Sequence, residues 1–465
     1  MKHRKLVTTI SIIVGLGVAL LLATSVSDHL AGDSSLRAVQ VTPALVQRGA
    51  YLAKLGDCAA CHSMPGRPPF TGGLAMHIPI GTIYTTNITF DTVDGIGNDS
   101  LDDFDRALRF GVSRGHTLYP AMPYPSYSRL RPEDVQALYA YFKYGVMPSA
   151  TPNVANDVTF PLSLRFPLTM WRWAFAPKPA PFTPPVGMDP QVANGAYFVE
   201  GLGHCGECHT PRGLAMQVKA QTAADGASFL AGARVDNWFA PSLRSIDVQG
   251  TLHDWSETGL ASFLRSGASN GGIAFGSMSD VIAHSTQYMT ASDAQDTARF
   301  LKSLDPASAS PAFTYDGTTD QALRNGDASQ RGAMIYLDNC AACHRPDGTG
   351  YDRVFPRLAG NPAVTADDPT STISIVLAGS RTVWTHPAPA QFQMPSFAWR
   401  LSNQEVADVA TFVRGSWGNH AGAVDVKTVQ ALRTQAVPSD GIDAPTTDRT
   451  TPSHFLLSKA TASSP

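Results

Sequence analysis

The chain has 465 residues, of which 35 are lysine or arginine and 38 are aspartate or glutamate, giving a formal net charge of −3 at pH 7. This balance provides no basic stripe that could follow a phosphate backbone, which argues against nucleic acid as a partner. The length alone predicts more than one domain.

The N-terminal segment, residues 1–27, is predicted to be a secretory signal peptide. Lys2, Arg4 and Lys5 precede an uncharged stretch from Leu6 to Ser27, and small residues recur near its end. The apolar run is also about long enough to span a bilayer, so retention as an uncleaved anchor remains an alternative. No later apolar run is long enough to cross a membrane.

All six cysteines lie in three copies of the pentapeptide C-x-x-C-H. On a helical turn residues i and i+3 share one side, so the two thiols can add across both vinyl groups of one porphyrin. The histidine that follows can then ligate the iron. The spacing therefore predicts three covalently bound haem c groups. The predicted thioether cysteines are Cys58, Cys61, Cys205, Cys208, Cys340 and Cys343, and the predicted axial histidines are His62, His209 and His344.

Three other uses of cysteine fit the pattern less well. A zinc site of four thiolates would pair two copies and leave the third over, and a redox dithiol does not require the histidine. A disulfide framework is a poor alternative, because a chain of this length can bury a hydrophobic core and does not need disulfides to replace one. Haem attachment in bacteria takes place beyond the cytoplasmic membrane, so the signal segment and the haem motifs support each other.

Three related units are predicted from the segments that surround the haem motifs, at 40–148, 188–306 and 324–420. Each unit opens with a short predicted helix that carries a glycine, and each closes with an amphipathic pattern that carries an aromatic residue. We expect the two helices of a unit to cross through contact of the glycine with the aromatic residue. The glycines are Gly49, Gly195 and Gly332, and the aromatic residues are Tyr141, Phe300 and Phe412.

Between the units, 149–187 is predicted to be an irregular Pro-rich linker, 307–323 an ordinary linker, and 421–465 a polar tail. The stretch from Phe160 to Phe182 holds six aromatic and three basic residues. Disordered linkers are poor in aromatic residues, so this stretch is predicted to lie against another surface. The candidates are the haem units of the chain itself, a partner subunit, and the membrane interface.

A methionine is predicted as the sixth iron ligand in each unit, because a thioether suits an electron-transfer haem. Met394 is the only methionine downstream of His344, and its sequence context selects Met122 in the first unit and Met278 in the second. The alternatives weighed are the methionines Met64, Met216 and Met289 and the histidines His116, His284 and His386.

The second ring nitrogen of each axial histidine is expected to bond a backbone carbonyl, which fixes the tautomer. Small cytochromes c use a Pro-x-Leu segment for this purpose. Pro241 and Pro356 begin such segments in the second and third units. The first unit has no equally clear counterpart, and Pro79 is the candidate there.

Strings spread from near Val46 to near Asn419 resemble the cytochrome c subunit of membrane-bound sugar and alcohol dehydrogenases of acetic-acid-type bacteria. They include GAYLAKLGDCAACH, TLYPAMPYPS, GHCGECHTPRG, CAACHRPDGTG and TFVRGSWGN. The resemblance implies a mainly α fold of three tandem class I cytochrome c-like domains. It also implies an electron relay at the periplasmic face of the cytoplasmic membrane. In that relay a flavin- or quinoprotein dehydrogenase subunit oxidises an alcohol, sugar or sugar acid, and electrons pass through the haems to ubiquinone.

The chain is not expected to oxidise a substrate alone, because no nucleophile-and-base constellation and no dinucleotide fingerprint is found in it. Two other functions remain open at this stage. A catalytic multihaem oxidoreductase, peroxidase-like or thiosulfate-oxidising, would need a vacant sixth position, for which the second unit is the candidate. A free-standing electron shuttle would have little use for the apolar surface around Phe160 to Phe182.

Overall fold

The computed structural model describes residue 24 and residues 36–37, 39–161, 163–235, 237–244, 255–305 and 313–436. These residues form a mainly helical fold with small antiparallel sheets, which confirms the predicted mainly α class. Apart from residue 24, the predicted signal peptide or anchor lies outside the described residues. Among the described residues, no helix combines the length and the apolar character needed to cross a bilayer.

Unit one opens on a helix whose start is fixed locally, since Thr42 accepts a hydrogen bond from the backbone N–H of Leu45 and Pro43 stands at the first helical position. Its elements are helix α1 (Pro43–Leu55), α2 (Cys58–His62), strands β1 (Ala75–Ile78) and β2 (Gly81–Tyr84), α3 (Leu101–Phe110), β3 (Val112–Ser113), β4 (His116–Thr117), α4 (Tyr124–Tyr127) and α5 (Pro132–Tyr144). Strands β1 and β2 form one hairpin, and β3 and β4 form another.

The segment between units one and two is more ordered than the predicted irregular linker. Strand β5 (Asp157–Val158) pairs with β2, so the chain returns to the first hairpin. Helix α6 (Phe166–Phe175) follows, with Pro167 in its first turn, where the missing N–H of proline does no harm. Proline therefore starts a helix here, whereas the sequence reading took the proline content as a sign of irregular structure.

Unit two repeats the arrangement of unit one. Its elements are α7 (Pro190–Tyr197), a π-helical turn (Phe198–Leu202), α8 (Gly206–His209), β6 (Ala233–Val235), β7 (Trp238–Ala240), α9 (Glu257–Ser266), β8 (Ala268–Ser269), β9 (Gly272–Ile273), α10 (Ser277–His284) and α11 (Ala291–Ser303). The 3-10 turns Ala223–Asp225 and Thr286–Tyr288 join these elements.

Unit three contains α12 (Thr318–Arg324), α13 (Ala333–Asn339), α14 (Ala341–His344), α15 (Pro362–Thr365), α16 (Thr370–Ala378), β10 (Ser380–Arg381), β11 (Gln393–Met394), α17 (Asn403–Arg414) and α18 (Val426–Arg433). The last helix departs from the expected polar tail. Val429 is fully buried, and the Arg433 guanidinium donates to the carbonyl of Leu401 at 2.7 Å. The apolar spacing of Val426, Val429 and Leu432 gives α18 a packing face, and residues beyond 436 lie outside the described part of the chain.

The predicted crossing of opening and closing helices is present in each unit. A methyl group added at Gly49 would overlap the carbonyl oxygen of Ala137 and stand 2.6 Å from the Cβ of Tyr141. The corresponding Cβ distance is 2.8 Å from Gly195 to Phe300 and 2.9 Å from Gly332 to Phe412. The predicted glycine–aromatic contacts are confirmed.

Gly332 differs from the other two glycines in its backbone. Gly49 and Gly195 lie inside helices, but Gly332 precedes α13 with φ of +87°. Residues with a Cβ rarely adopt this conformation. In unit three, glycine is therefore needed both for close packing and for the entry into the helix.

Units one and two share one hydrophobic core, whereas unit three has its own. The joint between the first two units is also polar. Tyr51 donates to Asp293, and the Ser285 hydroxyl donates to the carbonyl of Leu55 at 2.9 Å. Lys54 lies 4.4 Å from the centre of the Tyr288 ring. Unit three instead meets unit two across a surface where, for example, Arg234 and Asp368 form an ion pair of 2.7 Å.

Candidate haem sites

Each histidine of a C-x-x-C-H motif holds a backbone carbonyl with its Nδ1 atom. His62 Nδ1 lies 2.7 Å from the carbonyl oxygen of Thr86, His209 Nδ1 lies 2.7 Å from that of Pro241, and His344 Nδ1 lies 2.9 Å from that of Pro356. A carbonyl oxygen can only accept, so Nδ1 carries the hydrogen and donates. Nε2 is then left with its lone pair, which is the form of imidazole that binds a metal.

The carbonyls belong to a backbone arrangement that recurs at all three motifs. The residue two positions after each carbonyl is apolar, and its N–H bonds an earlier carbonyl. These bonds run from Ile88 to Phe70 at 2.9 Å, from Leu243 to Leu230 at 2.9 Å, and from Leu358 to Gly348 at 2.8 Å. Phe70, Leu230 and Gly348 all have positive φ, of 65°, 57° and 65°.

A second bond ties this arrangement to the motif helices. The carbonyl of each axial histidine accepts from a glycine N–H two residues beyond the positive-φ position. These glycines are Gly72 at 2.8 Å, Gly232 at 2.7 Å and Gly350 at 3.1 Å. The loop between histidine and glycine varies in length among the units, but the bonds that orient the imidazole are the same.

The Pro241 and Pro356 predictions are confirmed, and the candidate Pro79 is wrong. Pro79 lies in the turn between β1 and β2, and its carbonyl is not the one that His62 Nδ1 bonds. Thr86, which follows the hairpin, supplies the carbonyl instead. The sequence signal for it is weak, because Thr86-Asn87-Ile88 matches Pro-x-Leu only in its apolar third residue.

The third motif opens onto a cavity of about 1200 Å³, counting the space that communicates with solvent. Cys340, Cys343 and His344 line one part of it, and Met394 lines it as well. The structure therefore brings the predicted axial pair of unit three to one cavity. The remaining wall is largely apolar, with Leu358, Ile375, Val376 and Phe397 among its residues.

Part of this wall comes from unit two, which sequence reasoning did not find. Ile273 and Phe275 line the cavity of the third motif, although Phe275 lies only three residues before Met278. The ring of Phe275 packs against Trp238 with 5.4 Å between ring centres. No sequence signal exists for this contact, since it arises from the docking of one unit on another.

In units one and two the predicted methionines are partly buried. Met122 lies in the loop before α4, and Met278 lies in the first turn of α10. Both pack against the shared core, as do Cys58 and Cys205 of the corresponding motifs.

The competing residues lie in other surroundings. Met216 is 52% exposed, and Met289 is 2% exposed within the core. Met64 is half-buried near Gly73. The three competing histidines are exposed at the surface: His116, His284 and His386.

Burial sets the protonation of the thiols and imidazoles. It raises the pKa of the thiols of Cys58, Cys205 and Cys340 to about 12, so all three are protonated at neutral pH. Dithiol redox chemistry uses the thiolate. Burial also lowers the pKa of His62, His209 and His344, which keeps the imidazoles neutral. Among the described residues, no three histidine, cysteine or acidic side chains cluster as a metal site would require.

Comparison with known proteins decides the family. The cytochrome c family model matches residues 329–417. The alcohol dehydrogenase (quinone) cytochrome c subunit of Komagataeibacter europaeus is 49% identical over 414 residues, which is 88% of each chain. The gluconate 2-dehydrogenase cytochrome c subunit of Pantoea cypripedii is 49% identical over 422 residues, 90% of this chain and 94% of that one. The chain belongs to this family of dehydrogenase cytochrome c subunits.

A third relative in the family is the alcohol dehydrogenase (quinone) cytochrome c subunit of Gluconobacter oxydans (strain 621H), 47% identical over 421 residues. Membership confirms the resemblance noted in the sequence. A cytochrome c domain implies covalently bound haem c, and the residues of 329–417 fit that group. They provide two thiols, an imidazole whose Nδ1 atom is hydrogen-bonded to a backbone carbonyl, a thioether and an apolar cavity.

Proposed function

We propose that this cytochrome c subunit carries three haem c groups and relays electrons at the periplasmic face of a bacterial cytoplasmic membrane. The observation that carries the proposal is the repetition of one hydrogen-bond arrangement around His62, His209 and His344. An arrangement that orients an imidazole three times within one chain is explained by three irons. The proposed domain limits are those of the three units, with the third running from about residue 318, because helix α12 occupies part of the predicted linker 307–323, to about residue 436.

The residues of each unit have separate tasks in this proposal. The thiols would hold the porphyrin, and the histidine, held by its carbonyl, would bind the iron through Nε2. Met122, Met278 and Met394 would each supply the second protein ligand of an iron, so that none would be free to bind a substrate. Haem c with two protein ligands supplies reversible one-electron chemistry. The apolar cavity wall excludes water, which helps to set the reduction potential.

The partner follows from the relatives. Their names assign them to alcohol dehydrogenase (quinone) and to gluconate 2-dehydrogenase. We infer that a flavin- or quinoprotein subunit oxidises an alcohol, sugar or sugar acid, that this chain accepts the electrons, and that ubiquinone receives them. On this proposal the cytochrome alone has no dehydrogenase activity, and residues 1–27 direct its export.

The haem count is tested on the purified chain by pyridine haemochrome analysis and intact mass. Three haems per chain are expected, and the variant C205S/C208S should contain two. A count of one or two in the unaltered chain would contradict the proposal. A matched control is S262A, which changes a hydroxyl of unit two outside the motif and should keep all three haems.

The relay is tested by isolating the native complex from membranes and adding a panel of alcohols, sugars and sugar acids. A co-purifying flavin- or quinoprotein, with substrate-dependent reduction of every haem and of added ubiquinone, is the expected result. Recovery of a lone cytochrome in which one haem binds carbon monoxide or turns over peroxide would refute it. That outcome would identify an open iron site and a catalytic role.

A further inference from the structure

Helix α6 has an inner face that is tied to both of the first two units. Thr169 is 1% exposed, and its hydroxyl oxygen lies 3.1 Å from that of Thr117 in unit one. Trp171 donates from Nε1 to the carbonyl of Ala215 in unit two at 2.7 Å, and its ring meets the edge of Tyr124. The inner face therefore fixes the position and direction of the helix on the folded chain.

The outer face of the same helix is apolar and its side chains are exposed. Met170 is 42% exposed and Trp173 is 47% exposed, and with the exposed Ala174 they follow an i, i+3, i+4 spacing that defines one stripe. The loop that leads into the helix adds Phe160, 76% exposed, and Leu164, 41% exposed. Phe175, at the end of the helix, is 36% exposed.

The charged side chains within this stretch of sequence have one sign. Residues 158–188 contain Arg165, Arg172 and Lys178 and no aspartate or glutamate, in a chain that has more acidic than basic residues overall. Arg165 and Lys178 are exposed on either side of the helix. An apolar stripe with tryptophan and phenylalanine, in a segment whose only charged side chains are basic, complements a surface that is apolar within and anionic at its boundary.

We propose that α6 and the loop from Phe160 are the surface by which this cytochrome lies on an anionic lipid bilayer. The proposal rests on the proposed function, because it names the part of the chain that meets the membrane. Met170, Trp173 and Phe160 enter the boundary between headgroups and acyl chains, while Lys178 faces the lipid phosphates. The inner face stays on the protein.

The docked helix also places a haem site beside the bilayer. Its inner face covers the loop of Met122, since the Arg165 guanidinium lies 4.5 Å from the centre of the Tyr119 ring and Trp171 packs on Tyr124. Tyr119 and Tyr124 flank Met122 on both sides. On this proposal the first haem site lies beside the membrane.

The test is flotation of the haem-loaded full-length chain with vesicles of phosphatidylglycerol and phosphatidylethanolamine, and with vesicles of phosphatidylcholine alone. The variant M170S/W173S should bind the anionic vesicles at least about tenfold more weakly than the unaltered chain. The control M334S/W399S replaces a methionine and a tryptophan that are 55% and 68% exposed in unit three, and should bind unchanged. Haem absorbance locates the protein and reports whether the variants are folded.

A second variant, K178E, changes an exposed charge and no packing. It should weaken binding to the anionic vesicles and leave binding to phosphatidylcholine unaltered, and added salt should reduce the difference between the two vesicle types. Vesicle binding that neither M170S/W173S nor K178E reduces would overturn the proposal. So would retained binding together with loss of the co-purifying dehydrogenase subunit, which would identify a protein interface. The haem count and the substrate-dependent reduction, measured on the same samples, show separately whether the proposed function holds.

Discussion

Replacing Gly49 by alanine should destabilise the shared core of units one and two. The added methyl would overlap the carbonyl oxygen of Ala137 and stand 2.6 Å from both the Ala137 carbonyl carbon and the Tyr141 Cβ. Carbon atoms in contact lie about 3.5–4.0 Å apart, so the helices must separate by about 1 Å. No rotamer change can relieve the clash, because backbone and Cβ atoms are fixed to the helix.

The expected loss follows from two opposed effects. Overpacking of a core costs about 1–3 kcal/mol, and a backbone clash belongs at the upper end of that range. Alanine regains about 1 kcal/mol over glycine inside a helix. The free energy of unfolding should therefore fall by about 2 kcal/mol.

Urea unfolding of the haem-loaded protein, followed by far-UV circular dichroism, measures this change. Gly201→Ala is the control, because the nearest atom to its new methyl is the Arg129 Cβ at 3.8 Å. It should not lower the free energy of unfolding, and the helix preference of alanine should raise it by up to about 1 kcal/mol. Equal unfolding free energies for Gly49→Ala and the unaltered chain would refute the close helix crossing as the reason for glycine.

Three further changes test the sites and the joint between units. Met394→Ala should lower the reduction potential of one haem in a spectroscopic redox titration, because a thioether ligand raises that potential. The control Met334→Ala, at an exposed position, should change no potential. Unchanged potentials in Met394→Ala would show that Met394 is not an iron ligand. Burial, and then Asp280, raise the pKa of the Asp57 carboxyl to about 8. Between about pH 4 and pH 8 the native state therefore holds one proton more than the unfolded state. The free energy of unfolding should fall as pH rises through that window. Asp57→Asn should flatten this slope in unfolding curves, and an equal slope in both proteins would contradict it. Tyr51→Phe should lower the free energy of unfolding by about 1 kcal/mol, because it loses the hydrogen bonds to Asp293 and to the Thr290 N–H. The control Tyr144→Phe, at a side chain that is 60% exposed, should leave the free energy unchanged. Equal losses in the two variants would show that the Tyr51 hydrogen bonds add no stability.

The parts that the sequence predicts correctly are those in which chemistry acts at short range along the chain. The opening helices, the motif helices and the Pro-x-Leu carbonyls of units two and three all depend on residues close to the motif. The glycine–aromatic crossings were also predictable, because the same pair recurs three times at one register. Repetition makes a contact between distant residues visible in a single sequence.

The features that could not be predicted from the sequence depend on how the units pack together or on the path of the backbone between elements. Thr86 replaces the expected proline carbonyl because a hairpin intervenes, and only the fold shows where that hairpin returns. Phe275 reaches the third cavity only because unit two packs on unit three. Helix α18 was hidden by its polar residues, since three apolar side chains are enough to bury one face of a short helix.

The wall that Ile273 and Phe275 contribute to the third cavity makes the last pocket a composite of two units. A fragment cut at the limits of the family match, 329–417, would keep the proposed haem-binding residues and lose the part of the cavity wall that unit two provides. Such a fragment should bind haem with greater exposure of the site to solvent. Because the chain is synthesised from its N-terminus, unit two precedes unit three and can provide this wall before the last pocket closes. The third cavity is therefore complete only when unit two is folded beside unit three.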